Sequence, residues 1–165
     1  MVEALLFYPL AGLCTVGALG VVLARNPLHG ALWLVTSFFF LAALYVLLGA
    51  HLVGILQLIV YAGAIMVLFL FVIMLLALSE ADLGERRITL FKIAGAAAAI
   101  GAVGIAWQIL KKAPSNALAA IPKDFGTVAA VGSKLFTDLP LQFEAVSLLL
   151  LIAIAGAVVV AKSRI

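Results

Sequence analysis

Residues 57–78 read QLIVYAGAIMVLFLFVIMLLAL, a membrane-length run without a single charge that nevertheless carries an amide, a phenol and a glycine near its start, at Gln57, Tyr61 and Gly63. In hydrocarbon a backbone must satisfy its own polar groups, so a run like this is a helix, and polar side chains along it are costly. A helix facing only lipid has no reason to hold these three residues together. The run therefore reads as a helix packed inside a protein assembly, with a local backbone feature near its polar end.

The rest of the chain agrees with that environment. Of its 165 residues 67% are hydrophobic and 10% charged, and the mean hydropathy is +1.36. A soluble domain of this size cannot hide so much apolar surface, which makes the chain an integral membrane protein. The apolar runs do not alternate in polarity, which argues against a transmembrane barrel and for an all-α protein. The net charge of +3 comes from loops, and no basic cluster is interleaved with aromatics. Those charges read as topology signals, and nucleic acid is not a partner.

Five runs are long enough to cross a bilayer core of about 30 Å. They are expected at about 5–24, 28–49, 52–78, 88–110 and 141–161, in one membrane domain covering 1–165, with an extramembrane loop over 111–140 that has room for a short surface helix. Arg25-Asn26-Pro27 ends the first run and restarts the chain as the second, and Gly49-Ala50-His51 makes a tight turn before the third. The third run is about 40 Å long as a straight helix, so it tilts or extends beyond the membrane. No internal repeat is visible, and Met1-Val2-Glu3 lacks the basic start of a cleaved signal, so the first run is expected to be a retained span. Five spans place the termini on opposite sides. Arg25, Arg86, Arg87, Lys92, Lys162 and Arg164 fall on one face and Lys111, Lys112, Lys123 and Lys134 on the other. The first set makes its face cytoplasmic, with the N-terminus outside (periplasmic) and the C-terminus inside.

Small residues fill 94–104 (AGAAAAIGAVG) and recur at Ala153, Ala155, Gly156 and Ala157. Small side chains let membrane helices approach closely, so these spans expect neighbours, some of them from other chains. Tyr61 lies about 13 Å along the third run from Leu52, close to mid-membrane, where a phenol needs a hydrogen-bonding partner. Gln57, four residues earlier, shares its face, and Gly63 can admit a neighbouring backbone or irregular hydrogen bonding. Glu144 stands near the start of the last span, where a helix dipole stabilises a carboxylate, against the alternative of a proton relay. His51 is expected to be exposed at the interface, Trp33 and Tyr45 to pack or anchor, and Cys14, the only cysteine, to be a small buried residue. No paired carboxylates, metal-ligand spacing, phosphate-binding loop or Ser/His/Asp set is present, so catalytic, cofactor and metal residues are expected to be absent from this chain.

Three segments resemble one family: Arg25-Asn26-Pro27-Leu28-His29, then Leu44-Tyr45-Val46-Leu47-Leu48-Gly49-Ala50, then the string from Ile59-Val60-Tyr61-Ala62-Gly63-Ala64-Ile65 to Val72. They look like the J subunits of bacterial NADH:quinone oxidoreductase, respiratory complex I, whose mitochondrial counterpart is NADH dehydrogenase subunit 6. Phe143-Glu144 with Leu148-Leu149-Leu150 and Gly156-Ala157 resembles the family's last span, while the fourth span and the following loop match only in character. The resemblance implies five helices embedded in the bacterial inner (plasma) membrane as part of a hetero-oligomer. The partners would be the quinone-cavity subunit, the A and K subunits and the antiporter-like subunits. FMN, iron–sulfur clusters and quinone would be bound by other chains, and this one would be a non-catalytic subunit of a proton-translocating oxidoreductase. It further implies a π-bulge in the third helix that switches to regular α form and gates a hydrated proton path, with Gln57, Tyr61, Ala62, Gly63 and Met66 as candidates. Some relatives have a carboxylate where this chain has Gln57. An amide does not titrate, so position 57 would order water rather than carry protons.

A plainer reading makes the chain a scaffold that fills space between larger subunits. Two alternatives lie outside this enzyme: a related subunit of a membrane-bound hydrogenase or multi-subunit cation/proton antiporter, and a stand-alone small transporter. The last would be expected to carry an ionisable residue in mid-membrane.

Overall fold

A computed structural model describes residues 2–76, 90–112 and 124–162, and everything described is helix or tight turn. Helix α1 spans Val2–Leu23 and α2 spans Pro27–Leu47. Helix α3 runs continuously over His51–Leu75, α4 over Leu90–Lys112, α5 over Val128–Thr137 and α6 over Pro140–Ala161. Among the described residues α2, α3, α6 and the Leu5–Leu23 part of α1 are long and apolar enough to cross a membrane. The fourth expected span is a helix of 23 residues, but its apolar part is shorter, Ala97–Ile109. The expected ends at Leu78 and Ile88, and the charges at Arg86, Arg87, Lys123 and Arg164, lie outside the described residues.

The restart between α1 and α2 follows from its sequence. Pro27 occupies the first helical position, where no backbone donor is needed, and the Asn26 side chain accepts from the Leu28 N–H at 2.9 Å. The other end of α2 closes as a Schellman motif. Gly49 takes φ +78, its N–H reaches the Val46 carbonyl at 3.0 Å, and the Ala50 N–H reaches Tyr45 at 2.9 Å. The chain therefore reverses in three residues, and α3 packs back along α2 over its whole length.

The contact between α1 and α2 is built on small residues. A Cβ on Gly17 would lie 3.0 Å from the Ser37 Cβ, and one on Gly20 would lie 2.5 Å from the Trp33 ring. Between them Ser37 Oγ donates to the Cys14 carbonyl at 3.1 Å, while the Cys14 thiol lies 3.6 Å from the Ser37 carbonyl. Cys14 is half-buried by this pairing rather than sealed in a core. Backbones that approach this closely associate through dispersion and interhelical hydrogen bonds, the forces available without a hydrophobic drive.

The described parts of the 111–140 connection are helix and tight turn. Lys111 and Lys112 still belong to α4, and α5 forms behind Thr127, whose hydroxyl accepts from the Ala130 N–H at 3.3 Å. Just before it, the Gly126 carbonyl accepts from the Leu52 N–H at 3.0 Å, supplying a partner to one of the donors that the first turn of α3 leaves open. Gly126 has φ +71, and a Cβ there would run into the Gly49 carbonyl. Two glycine turns thus lock face to face where α2 ends and α3 begins. Phe136 and Phe143 meet edge to face at 4.8 Å and fold α5 against the start of α6.

Candidate functional site

Helix α3 changes its hydrogen-bond register partway along. His51–Leu56 is α-helical, Gln57–Ile65 is π-helical over nine residues, and Met66–Leu75 is α-helical again. The Gln57 N–H reaches back to Val53 and Gly54, whereas the Met66 N–H reaches back five residues to Tyr61, and also to Gly63. Such widened turns are rare and are frequently found at functional sites.

The widening decides which side chains face α2. Nine residues are about two and a half turns of an α-helix, so a regular α3 would put Gln57 and Met66 on opposite sides. Both are buried here, at 7% and 4% exposure. The π segment absorbs the difference and keeps one face of α3 against α2 on either side of it. Gly54 belongs to the same face. A Cβ there would stand 2.8 Å from Val46 Cγ2 and 3.0 Å from the Ala42 carbonyl, which lets the two helices close up just before the register changes.

The expected site residues fall into two groups. Gln57 is buried on the α2 side, and its amide has no hydrogen-bond partner among the described residues. Tyr61, four residues on, is 50% exposed and leans its ring edge-on against Phe38 of α2 at 5.9 Å, with its phenol likewise unpartnered among the described residues. Gly63 is half-buried inside the π segment, and a Cβ would sit 3.2 Å from the Leu58 carbonyl five residues back, tighter than ordinary contact. Ala62 is also half-buried, and Met66 closes the segment as the first residue of regular helix. These five residues lie together on α3.

Glu144 does not join them. It is exposed, on α6, and that helix starts at Pro140, which makes Glu144 its fifth residue with no acidic side chain in the first turn. The expected dipole stabilisation is corrected accordingly, because the effect fades beyond the first turn. His51 is exposed at the start of α3, as expected.

The NADH-ubiquinone/plastoquinone oxidoreductase chain 6 family matches residues 17–160, which includes every element from the end of α1 to α6. The chain belongs to this family. Its similarity to the NADH-quinone oxidoreductase subunit J of Rhodobacter capsulatus is 36% identity, covering 92% of this chain and 78% of that relative. It is similar to the NAD(P)H-quinone oxidoreductase chain 6 of Leptolyngbya boryana, 34% identical over 98% of this chain and 80% of the relative. It is also similar to the F(420)H(2) dehydrogenase subunit J of Methanosarcina mazei, 31% identical over 98% of this chain and 92% of that relative.

Two parts of this chain 6 protein's interior were not visible in its sequence. Ser37, 7% exposed, links α1 and α2, and Phe38 carries the Tyr61 ring. A signal that could have found Ser37 is the pair Gly17 and Gly20, three apart and therefore on one face of α1, which calls for a close partner. Among the described residues no three His, Cys, Asp or Glu gather as a metal site. The donor set offers nothing that would hold an iron–sulfur cluster, since those need several thiolates and the chain has one cysteine.

Proposed function

We propose that α3 is the moving part of this chain: a helix with two hydrogen-bond registers that opens and closes water access between the quinone cavity and the proton-translocating subunits. The chain is a membrane-arm subunit of a proton-pumping quinone oxidoreductase, a conclusion carried by its family. The observation that supports the mechanism is the π segment itself. It is bounded by regular helix on both sides, holds a glycine at Gly63, and sets a buried amide one turn from a half-exposed phenol. Returning the segment to α form would turn Met66 and the following residues by nearly half a turn relative to Gln57. Either register pairs the backbone internally, so the change does not expose peptide groups to lipid. It is a two-state element of the kind that switches use.

The relatives lend weight to a role in the membrane part rather than in electron entry. Their names assign them to oxidoreductases of NADH, of NAD(P)H and of F(420)H(2), yet the same subunit type recurs. A subunit common to different electron donors is best placed downstream of them. On this reading FMN, iron–sulfur clusters and quinone stay with other subunits. The partners are the quinone-cavity, A, K and antiporter-like subunits, in a bacterial inner membrane.

We place α4 as a fifth crossing, with the N-terminus outside and the C-terminus cytoplasmic. Its 23 residues span about 35 Å as a helix. The Leu52–Gly126 hydrogen bond supports this. Once α3 has crossed away from its first turn, the chain reaches Gly126 beside that turn only by crossing back.

Gly63→Val tests the switch. A branched side chain pressed against the Leu58 carbonyl biases the register by about 1–3 kcal/mol, the usual range for overpacking. We expect assembled complex at normal abundance on native gels, with quinone-linked proton translocation in membrane vesicles down roughly tenfold, the equivalent of about 1.4 kcal/mol. Unchanged translocation in the assembled variant would count against the gate and favour a scaffold.

A further inference from the structure

Where α1 ends and α2 begins, a cleft of about 530 Å³ opens between Gly20, Leu23 and Ala24 on one side and Arg25, Asn26, His29 and Trp33 on the other. It is an open groove on the surface rather than an enclosed cavity, a shape that suits a group held at one end with the rest lying along the protein. The site is independent of α3 and of any gating there.

We propose that this cleft holds the phosphodiester headgroup of an anionic phospholipid. Its polar wall is cationic and short of partners. Arg25 is exposed and meets no carboxylate among the described residues. Asn26 spends its Oδ1 on the Leu28 N–H, which leaves the amide donors free to point outward. His29 and Trp33 stand one turn apart on the same face of α2, so imidazole and indole both reach the cleft.

The arrangement matches a lipid along its length. Trp33 sits about 9 Å inside the start of α2, the depth at which an indole places its ring in acyl chains and its N–H among headgroups. Away from Arg25 the wall continues as an apolar strip of α1, with Leu23, Val22 and Leu19 all more than half exposed. A phosphate at Arg25 would lay its acyl chain along this strip. A carboxylate from a neighbouring protein would satisfy Arg25 but leave the strip unused. Arginine forms paired hydrogen bonds to phosphate oxygens, and basic residues at a membrane surface favour anionic headgroups.

The test uses the purified, assembled complex in vesicles containing a photoactivatable phosphatidylglycerol or, separately, a photoactivatable phosphatidylcholine. Labelling of the peptide covering 19–33 is then read by mass spectrometry. The anionic probe is expected to label it about fivefold more strongly than the zwitterionic one, as one basic contact predicts. Arg25→Gln should remove that preference, His29→Gln should weaken it, and Arg25→Lys should keep it, because a point charge still attracts a phosphate. Excess inorganic phosphate should not compete. Equal labelling by the two lipids would overturn the proposal. So would a preference unaltered in both Arg25→Gln and His29→Gln, and displacement by inorganic phosphate would reassign the cleft to a free anion. Should Arg25→Gln fail to assemble, His29→Gln and Arg25→Lys still decide.

Discussion

Gln57 carries an amide on a face of α3 that otherwise packs apolar groups against α2. It is 7% exposed, and its amide makes no hydrogen bond among the described residues. No side-chain nitrogen or oxygen among the described residues is sealed away without a partner, so the Gln57 amide head stays within reach of the surface, where it either orders water or only fills space. Gln57→Leu separates the two cases. If the amide orders water for the proton path, assembly is retained and translocation falls several-fold. If it only fills space, translocation stays normal and the complex is no less stable to detergent or heat. Gln57, Tyr61 and Gly63 were legible in the sequence because each departs from an otherwise unbroken apolar run. Met66 was named only through the family resemblance. Its burial could not be read from polarity, since every residue from 64 to 76 is apolar and no face is marked. Ser37 was overlooked because one hydroxyl in a span is ordinarily satisfied by its own helix. Here it crosses to Cys14 instead.

At the level of elements, hydropathy gave the lengths of the helices and turn chemistry gave their ends. Asn26-Pro27 starts α2 as its residue types require, and Gly49 closes it. The short helix α5 was legible only as a possibility within the 111–140 connection. Gly132 and Ser133 give that segment a loop-like composition, while the cap at Thr127 that starts the helix is one residue easily read as part of a turn. What no local pattern could show is the contact between Gly126 and the start of α3, which joins positions more than seventy residues apart. Gly126→Ala tests it directly. A Cβ at φ +71 is strained, and it would meet the Gly49 carbonyl, so the two turns must separate. Hydrogen exchange at the Leu52 amide in the intact complex should quicken markedly, while Ala31 and Ser37, within α2, remain protected as before. An unchanged Leu52 amide would show that the turns stay joined without help from the glycine.

For the molecule as a whole, the notable division among the described residues is between helices that pack closely on one another and helices with little contact. α1, α2 and α3 pack together, whereas α6 touches α5 near its start and has no buried residue. On α4 a Cβ at Gly95, Gly101 or Gly104 would meet nothing within 4 Å, and the same holds for Gly156 of α6. Surfaces shaped for close approach but left open point to helices of other subunits, which the composition already suggested. Gly101→Leu should therefore lower the amount of assembled complex while leaving turnover per assembled complex unchanged, as quantified by native gels and by activity normalised to flavin. A fall in turnover per complex would give α4 a part in the mechanism.

The join between Gly126 and Leu52 also has a mechanical consequence. Because the His51 end of α3 is tethered to a second turn, a change of pitch in its middle has only one direction in which to travel. Winding or unwinding would be delivered as rotation and axial displacement at the Leu75 end, much as a screw held at its head transmits motion only through its point.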